Sequence, residues 1–202
     1  YFIKDTHVEY EWNILLNNLI EHKSYSLHSF NGELVPSVLM PPLYAFFLYF
    51  IHTISFLKES YFLYLVFFTQ IVLSTYSVYL FYQINQNFFS NKFSIINSFI
   101  FSIIPLNIYT CGQISSASIQ LFLSLLFLKL LFTLIKNKTQ KNIIFFSIVS
   151  GLLILCRGEF VIIFAFTLFF IFISKKIDFI NLIKIMIIVF LVISPYVIRN
   201  YI

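Results

Sequence analysis

Long apolar runs separated by short polar stretches make up most of the chain after residue 42. These runs cover 43–57, 61–84, 93–110, 118–135, 142–156, 160–174 and 179–198. A helix needs roughly 20 apolar residues to cross a bilayer, and about 17 is the lower limit. The pattern therefore predicts an all-α fold, a polytopic transmembrane helical bundle over 61–202 with about six spans.

The first apolar run, 43–57, is the ambiguous one. It is short, it begins at Pro41-Pro42, and it contains His52. It could span the membrane, lie at the interface or re-enter. If it spanned, the segment before it would be cytoplasmic while the later loops kept their sides; we prefer the interfacial interpretation.

Residues 6–22 have the spacing of an amphipathic helix. Its apolar positions recur at three- and four-residue intervals: Val8, Trp12, Leu15, Leu16, Leu19 and Ile20. Thr6 and Glu9 have the spacing of a capping box at its start. A stripe that contains a tryptophan is typical of a helix lying on the membrane interface. The following stretch, 26–35, predicts a short hairpin around Asn31-Gly32.

Composition places the chain in a membrane. Hydrophobic residues make up 60% and charged residues 10%, whereas about a quarter of the residues in soluble domains are charged. The net charge of +5 suits lysines on a membrane protein, and no basic cluster with interleaved aromatics indicates a nucleic-acid partner. Cys111 and Cys156 lack metal or redox spacing and are interpreted as small buried hydrophobes.

The basic residues separate into two groups when the helices alternate across the membrane and 43–57 does not cross it. One side collects Lys92, Lys136, Lys138, Lys141, Lys175, Lys176 and Lys184. The other side holds the N-terminal segment, the 111–117 loop, Arg157 and Arg199. The positive-inside rule assigns the lysine side to the cytoplasm. Residues 1–60 are therefore expected to form an extracytoplasmic first loop that carries interfacial helices.

The acidic residues are concentrated in that first loop, which holds five of the eight: Asp5, Glu9, Glu11, Glu21 and Glu33. An acid-bearing polar segment on an apolar body favours chemistry at the bilayer surface. The alternative for Asp5 is an exposed acid that stabilises a helix N-terminus. The alternative for Glu9 is its capping-box position.

Arg157 is the most informative basic residue. An arginine inside a membrane bundle is costly enough to indicate function. It could also extend to phospholipid head groups or pair with Glu159. Arg199 has the same options. His22, His28 and His52 show no metal spacing, so no cofactor is expected and no divalent metal is supported.

Four pieces of the chain occur in an order typical of one family. They are Asp5-Thr-His-Val-Glu9-Tyr10 with the following Asn13–Leu19, then Met40-Pro-Pro-Leu-Tyr44, then Gly151-Leu-Leu-Ile-Leu-Cys-Arg157-Gly-Glu159, then Ser194-Pro-Tyr-Val-Ile-Arg199-Asn-Tyr201. Together they resemble the GT-C superfamily of membrane glycosyltransferases. The similarity is to bacterial relatives of protein O-mannosyltransferases and of the aminoarabinose transferases that act on lipid A.

This resemblance implies an inverting transfer of a sugar from a polyprenyl-phosphate donor to a lipid, protein or polysaccharide acceptor. It implies an active site on the extracytoplasmic face of a bacterial inner membrane, with Asp5 as general base, helped by Glu9. We expect substrate to be bound by Tyr10, Arg157, Glu159 and Arg199. One departure is that the stretch 109–117 lacks the second acid that relatives often carry there.

Two other classes of function remain open. A transporter or flippase usually places ionisable or helix-breaking residues near the bilayer midplane, and here the charges gather at the ends of the runs. A non-catalytic membrane scaffold is compatible with the missing second acid. Because the chain begins at Tyr1 rather than methionine and stops after an apolar run, we expect it to be a fragment truncated at both ends.

Overall fold

The computed structural model describes residues 10–30, 33–36, 40–55 and 59–200. Helices dominate these residues. In chain order the elements are α1 (Tyr10–Glu21), β1 (Ser26–Phe30), β2 (Glu33–Pro36), α2 (Pro42–Ile54), α3 (Glu59–Asn85), α4 (Asn91–Ser102), α5 (Pro105–Cys111), α6 (Ala117–Lys136), α7 (Gln140–Cys156), α8 (Phe160–Ile173) and α9 (Phe179–Arg199). The expected all-α class is confirmed, with one small hairpin.

Three helices are long and apolar enough to cross a membrane: α3 from Tyr61, α6 and α9. The pair α4 and α5 would make a fourth span, bent by 55°. Helices α7 and α8 have 17 and 14 residues, and at 1.5 Å per residue they reach about 26 and 21 Å. The structure therefore supports a membrane protein with three or four full-length spans among the described residues, and α7 and α8 are shorter apolar helices.

The single apolar run predicted over 93–110 is broken because of Pro105. Proline has no N–H to donate and disfavours helical geometry at the residue before it. Ile104 accordingly adopts an extended conformation, with φ −60° and ψ 121°. The Asn107 side chain donates to the Phe101 carbonyl at 2.9 Å, which satisfies an acceptor that the break removes from the helix.

Contacts along the helices fix their directions. The Phe81 and Phe101 rings stack at 4.4 Å in the antiparallel pair α3 and α4. Lys136 at the end of α6 donates to Asn87, just beyond α3, at 2.6 Å, so α3 and α6 run parallel. A short turn then reverses the chain into α7.

Helices α7 and α9 pack most closely at Gly151. A Cβ atom at this position would lie 2.7 Å from Cγ1 of Val192 and 2.8 Å from its Cβ. Real Cβ atoms do not approach that closely, so only glycine allows this spacing. Because α8 runs back between them, α7 and α9 run parallel. Arg157, just after α7, and Arg199, the last residue of α9, therefore lie at the same end.

Helix α2 has 13 residues and reaches about 20 Å, which is short of the roughly 30 Å hydrocarbon core. It packs antiparallel to the first half of α3, with His52 and Phe62 in edge contact at 5.7 Å. Its length agrees with the preferred interpretation that 43–57 does not cross the membrane alone.

The apolar stripe of α1 packs against protein, whereas the sequence predicted a stripe lying on the membrane interface. Trp12, Leu15, Leu16 and Leu19 are all buried, and the Trp12 ring packs edge-on against Tyr44 of α2 at 4.9 Å. The stripe is thus covered by protein, and its tryptophan packs on α2. The predicted start of this helix, including Thr6 and Glu9, lies outside the described residues.

The predicted hairpin is confirmed by strand pairing. Strands β1 and β2 are antiparallel, and Phe30 pairs with Glu33, which leaves a two-residue connection. An irregularity in the register lies between Ser26 and His28. The hairpin links α1 to α2. The start of α2 lies beside the end of α9, where the Tyr196 hydroxyl donates to the Met40 carbonyl.

Candidate functional site

Most of the described cations lie at one or the other end of the bundle, whereas Lys129 lies within α6. The lysine end comprises the turns 86–92, 137–141 and 174–178. Lys136, at the end of α6, donates a hydrogen bond to Asn87 in the first of these turns. The arginine end comprises the 111–117 loop, the turn 157–159 and Arg199. The described part of the N-terminal segment, residues 10–55, packs on the arginine end through the contacts of Tyr25 and Tyr44.

Arg199 joins the end of α9 to this segment. Its Nη2 donates to the Tyr25 carbonyl, and its guanidinium lies 4.8 Å from the centre of the Tyr25 ring. A cation over an aromatic face is attracted by the ring quadrupole. Nη1 donates to the Asn200 side chain at 3.3 Å. The guanidinium is thus engaged at both its edge and its face.

Met40 is the second connection at this point. Its carbonyl accepts a hydrogen bond from the Tyr25 hydroxyl at 2.8 Å and another from the Tyr196 hydroxyl at 3.2 Å. The two tyrosine rings meet edge-on with centres 6.4 Å apart. We call the group Tyr25, Met40, Tyr196 and Arg199 the latch, because it ties the hairpin and the entry to α2 onto α9.

Burial controls the ionisation of Tyr25. The side chain is 4% exposed, and this desolvation raises the pKa of its phenol far above the ordinary value. Tyr196 raises that pKa further, and the positive charge of Arg199 offsets part of the effect. The phenol therefore stays protonated and keeps donating to Met40 at any ordinary pH.

A second junction forms around Gln70 of α3, whose side chain is completely buried. Its Oε1 accepts from the Tyr44 hydroxyl at 3.1 Å. Its Nε2 donates to the carbonyls of Cys111 and Gln113 at 3.2 and 2.8 Å. One amide thus connects α2, α3 and the 111–117 loop.

Sequence reasoning gave no role to Gln70 or Tyr25, and it quoted Tyr44 and Tyr196 only as members of the family-like motifs. An amide inside a long apolar run was a usable signal for Gln70, because a polar group at membrane depth must find a partner. Tyr25 gave no comparable signal, since tyrosine is ordinary near a membrane interface.

Arg157 contrasts with Arg199. It follows the last residue of α7, its backbone N–H donates to the Leu153 carbonyl at 3.0 Å, and its side chain is exposed. Glu159, two residues later, is exposed as well. Within the described ranges the ion-pair contact is between Glu21 and His22 at 3.8 Å, so the pairing of Arg157 with Glu159 does not form.

The predicted acids are not part of this geometry. Asp5 and Glu9 lie outside the described residues. Tyr10 is the first residue of α1, and its side chain is not among the described ones. Among the residues that the structure describes, no three His, Cys, Asp or Glu side chains form a group that could hold a metal ion.

The arrangement offers an exposed guanidinium, that of Arg157, at the end of the apolar bundle to which the N-terminal segment is anchored. Arginine binds phosphate with paired, charge-assisted hydrogen bonds, so this end suits an anionic head group.

No family model, curated protein or solved structure matches the chain.

Proposed function

We propose that the protein is an inverting membrane glycosyltransferase of the GT-C type. It moves a sugar from a polyprenyl-phosphate carrier to a hydroxyl acceptor outside the cytoplasm. The observation that carries this proposal is the attachment of the N-terminal segment, through Arg199 and Tyr25, to the end of the bundle that also bears Arg157. The described part of the acid-rich segment, which includes Glu11 and Glu21, and two arginines thus belong to one end, and the proposal extends this placement to Asp5 and Glu9.

The chemistry needs both kinds of group. In this proposal the acceptor oxygen bonds to the anomeric carbon while the bond from that carbon to the phosphate oxygen breaks. The acceptor proton passes to the Asp5 carboxylate, as general base catalysis requires. The electron pair passes to the lipid phosphate, whose negative charge Arg157 stabilises by electrostatic interaction. Glu9 assists Asp5, and Tyr10 and Glu159 contact the substrates.

The charge distribution supports an extracytoplasmic active site. Lys92, Lys136, Lys138 and Lys141 belong to the lysine end, and cytoplasmic loops are enriched in lysine and arginine. The arginine end is then the outer end, where a sugar carried on a polyprenyl phosphate meets acceptors of the cell envelope.

The described polar groups inside the helices do not favour a transport pathway. Gln70 is satisfied by Tyr44 and by two loop carbonyls. Asn85 donates to the Phe81 carbonyl at 2.8 Å and accepts from Asn97 at 3.3 Å. These amides hold helices together, whereas transporters present ionisable groups to a cavity near the midplane.

A transfer assay on the full-length protein tests the proposal. Purified protein in proteoliposomes is given polyprenyl-phosphate hexose or pentose, labelled in the sugar, together with a membrane extract as acceptor source. We expect acceptor-dependent movement of label out of the donor and release of an equal amount of polyprenyl phosphate. Translocation of the intact donor across the bilayer without cleavage would instead establish a flippase.

A further inference from the structure

We infer that the two arginines at this end have different tasks. Arg199 is a positioning residue, which holds the acid-bearing N-terminal segment on α9 through the latch. Arg157 is the cation that contacts the donor phosphate. The second assignment rests on the proposed function, whereas the first stands on the contacts of the latch itself.

Arg199 is committed to protein partners. Its guanidinium lies over the Tyr25 ring, donates to the carbonyl of the same residue, and donates again to Asn200. A phosphate would have to displace it from Tyr25, which is buried. Arg157 has an exposed side chain and requires no such rearrangement to meet a head group.

The latch fixes three elements at once. Asn18 of α1 donates its side-chain amide to the Ser26 carbonyl at 2.8 Å, which ties α1 to the strand that follows Tyr25. The Tyr25 hydroxyl is held by Met40, the residue before Pro41. Pro41 precedes the first turn of α2. Arg199 therefore anchors α1, the hairpin and α2 to the end of α9.

The geometry requires an arginine at 199. A guanidinium is planar and can stack on a ring while donating from its edge, whereas a lysine ammonium is a point charge that cannot do both. A lysine at 157 would still provide a positive charge for phosphate. Lysine substitution therefore separates the two tasks, because it should retain part of the function at 157 and lose it at 199.

Trypsin cleavage after Lys23 reports on the latch without any substrate. Lys23 is exposed, has a left-handed φ of 51°, and lies two residues before Tyr25. In the full-length protein we expect Arg199→Ala and Arg199→Lys to increase the rate of cleavage at this bond about 10-fold, since they remove the stacking and a hydrogen bond. Arg157→Ala should leave that rate unchanged. Tyr25→Phe, which keeps the ring and loses the hydroxyl, should give an intermediate rate.

The same variants are then compared in the transfer assay. We expect Arg199→Lys to lower kcat with little change in the KM for the polyprenyl-phosphate sugar. Arg157→Ala should raise that KM, and Arg157→Lys should restore part of it. If Arg199→Ala and Arg199→Lys are cleaved at the wild-type rate, the latch is wrong, whatever the activities. If cleavage increases while the wild-type protein transfers no sugar, the latch stands and the proposed function fails.

Discussion

Replacing Asp5 with asparagine should lower the rate of sugar transfer by about 100- to 10,000-fold, the usual contribution of a general base. The amide has nearly the shape of the carboxylate but cannot accept the acceptor proton. Binding of the polyprenyl-phosphate donor should be retained, because the phosphate is assigned to Arg157. The measurement is the initial rate of acceptor-dependent transfer at saturating donor.

Glu21 provides the matched control for this prediction. It belongs to the same acid-rich segment, at the end of α1, and its side chain is 68% exposed. Glu21→Gln removes one negative charge from the same region and should leave the rate within about twofold of the wild type, since exposed positions contribute little. Wild-type transfer by Asp5→Asn would exclude Asp5 as the base. Equal losses in both variants would indicate a general effect of charge.

Replacing Gln70 with leucine should lower the free energy of unfolding by about 2 to 4 kcal/mol. The volume is nearly conserved, but the Cys111 and Gln113 carbonyls lose their amide donor and Tyr44 loses an acceptor. A buried polar group that loses its hydrogen bond still bears the free-energy cost of desolvation, and no interaction offsets that cost. Unfolding by denaturing detergent in mixed micelles, followed by far-UV circular dichroism, measures the change.

The control for Gln70 lies on the same polypeptide stretch. Gln86, just after α3, is exposed, and its amide donates to the Tyr82 hydroxyl at 2.7 Å. Gln86→Leu should change the free energy of unfolding by about 0.5 kcal/mol or less. If the two variants were equally stable, the Gln70 amide would not hold α2 and the 111–117 loop to α3.

The clearest apolar runs predicted their helices well. The run 118–135 became α6, Ala117–Lys136, and the run 179–198 became α9, Phe179–Arg199. The run 93–110 failed as a single helix because a count of apolar residues ignores the missing N–H of Pro105. The stripe of α1 shows a related limit. Its spacing predicts a buried face, but the same spacing suits a membrane surface and the face of α2 equally.

The candidate site was predictable only in part. Alternation of helices was enough to assign Arg157 and Arg199 to one end, which agrees with the parallel packing of α7 and α9. The partner of Arg199 was not predictable, since Tyr25 is 174 positions away along the chain and has no distinguishing neighbours. Gln70 was visible as a polar residue in an apolar run, but its three partners follow from tertiary packing alone.

In the proposed enzyme the acid-bearing segment and Arg157 share the outer end of the bundle, opposite the lysine end. Labelling of single cysteines introduced at positions 5, 159 and 138, in a protein whose Cys111 and Cys156 have been replaced by alanine, tests it most directly. With a membrane-impermeant maleimide on intact cells, we predict labelling at 5 and 159, and labelling at 138 only after permeabilisation. Labelling of position 5 together with 138, and not with 159, would contradict the account.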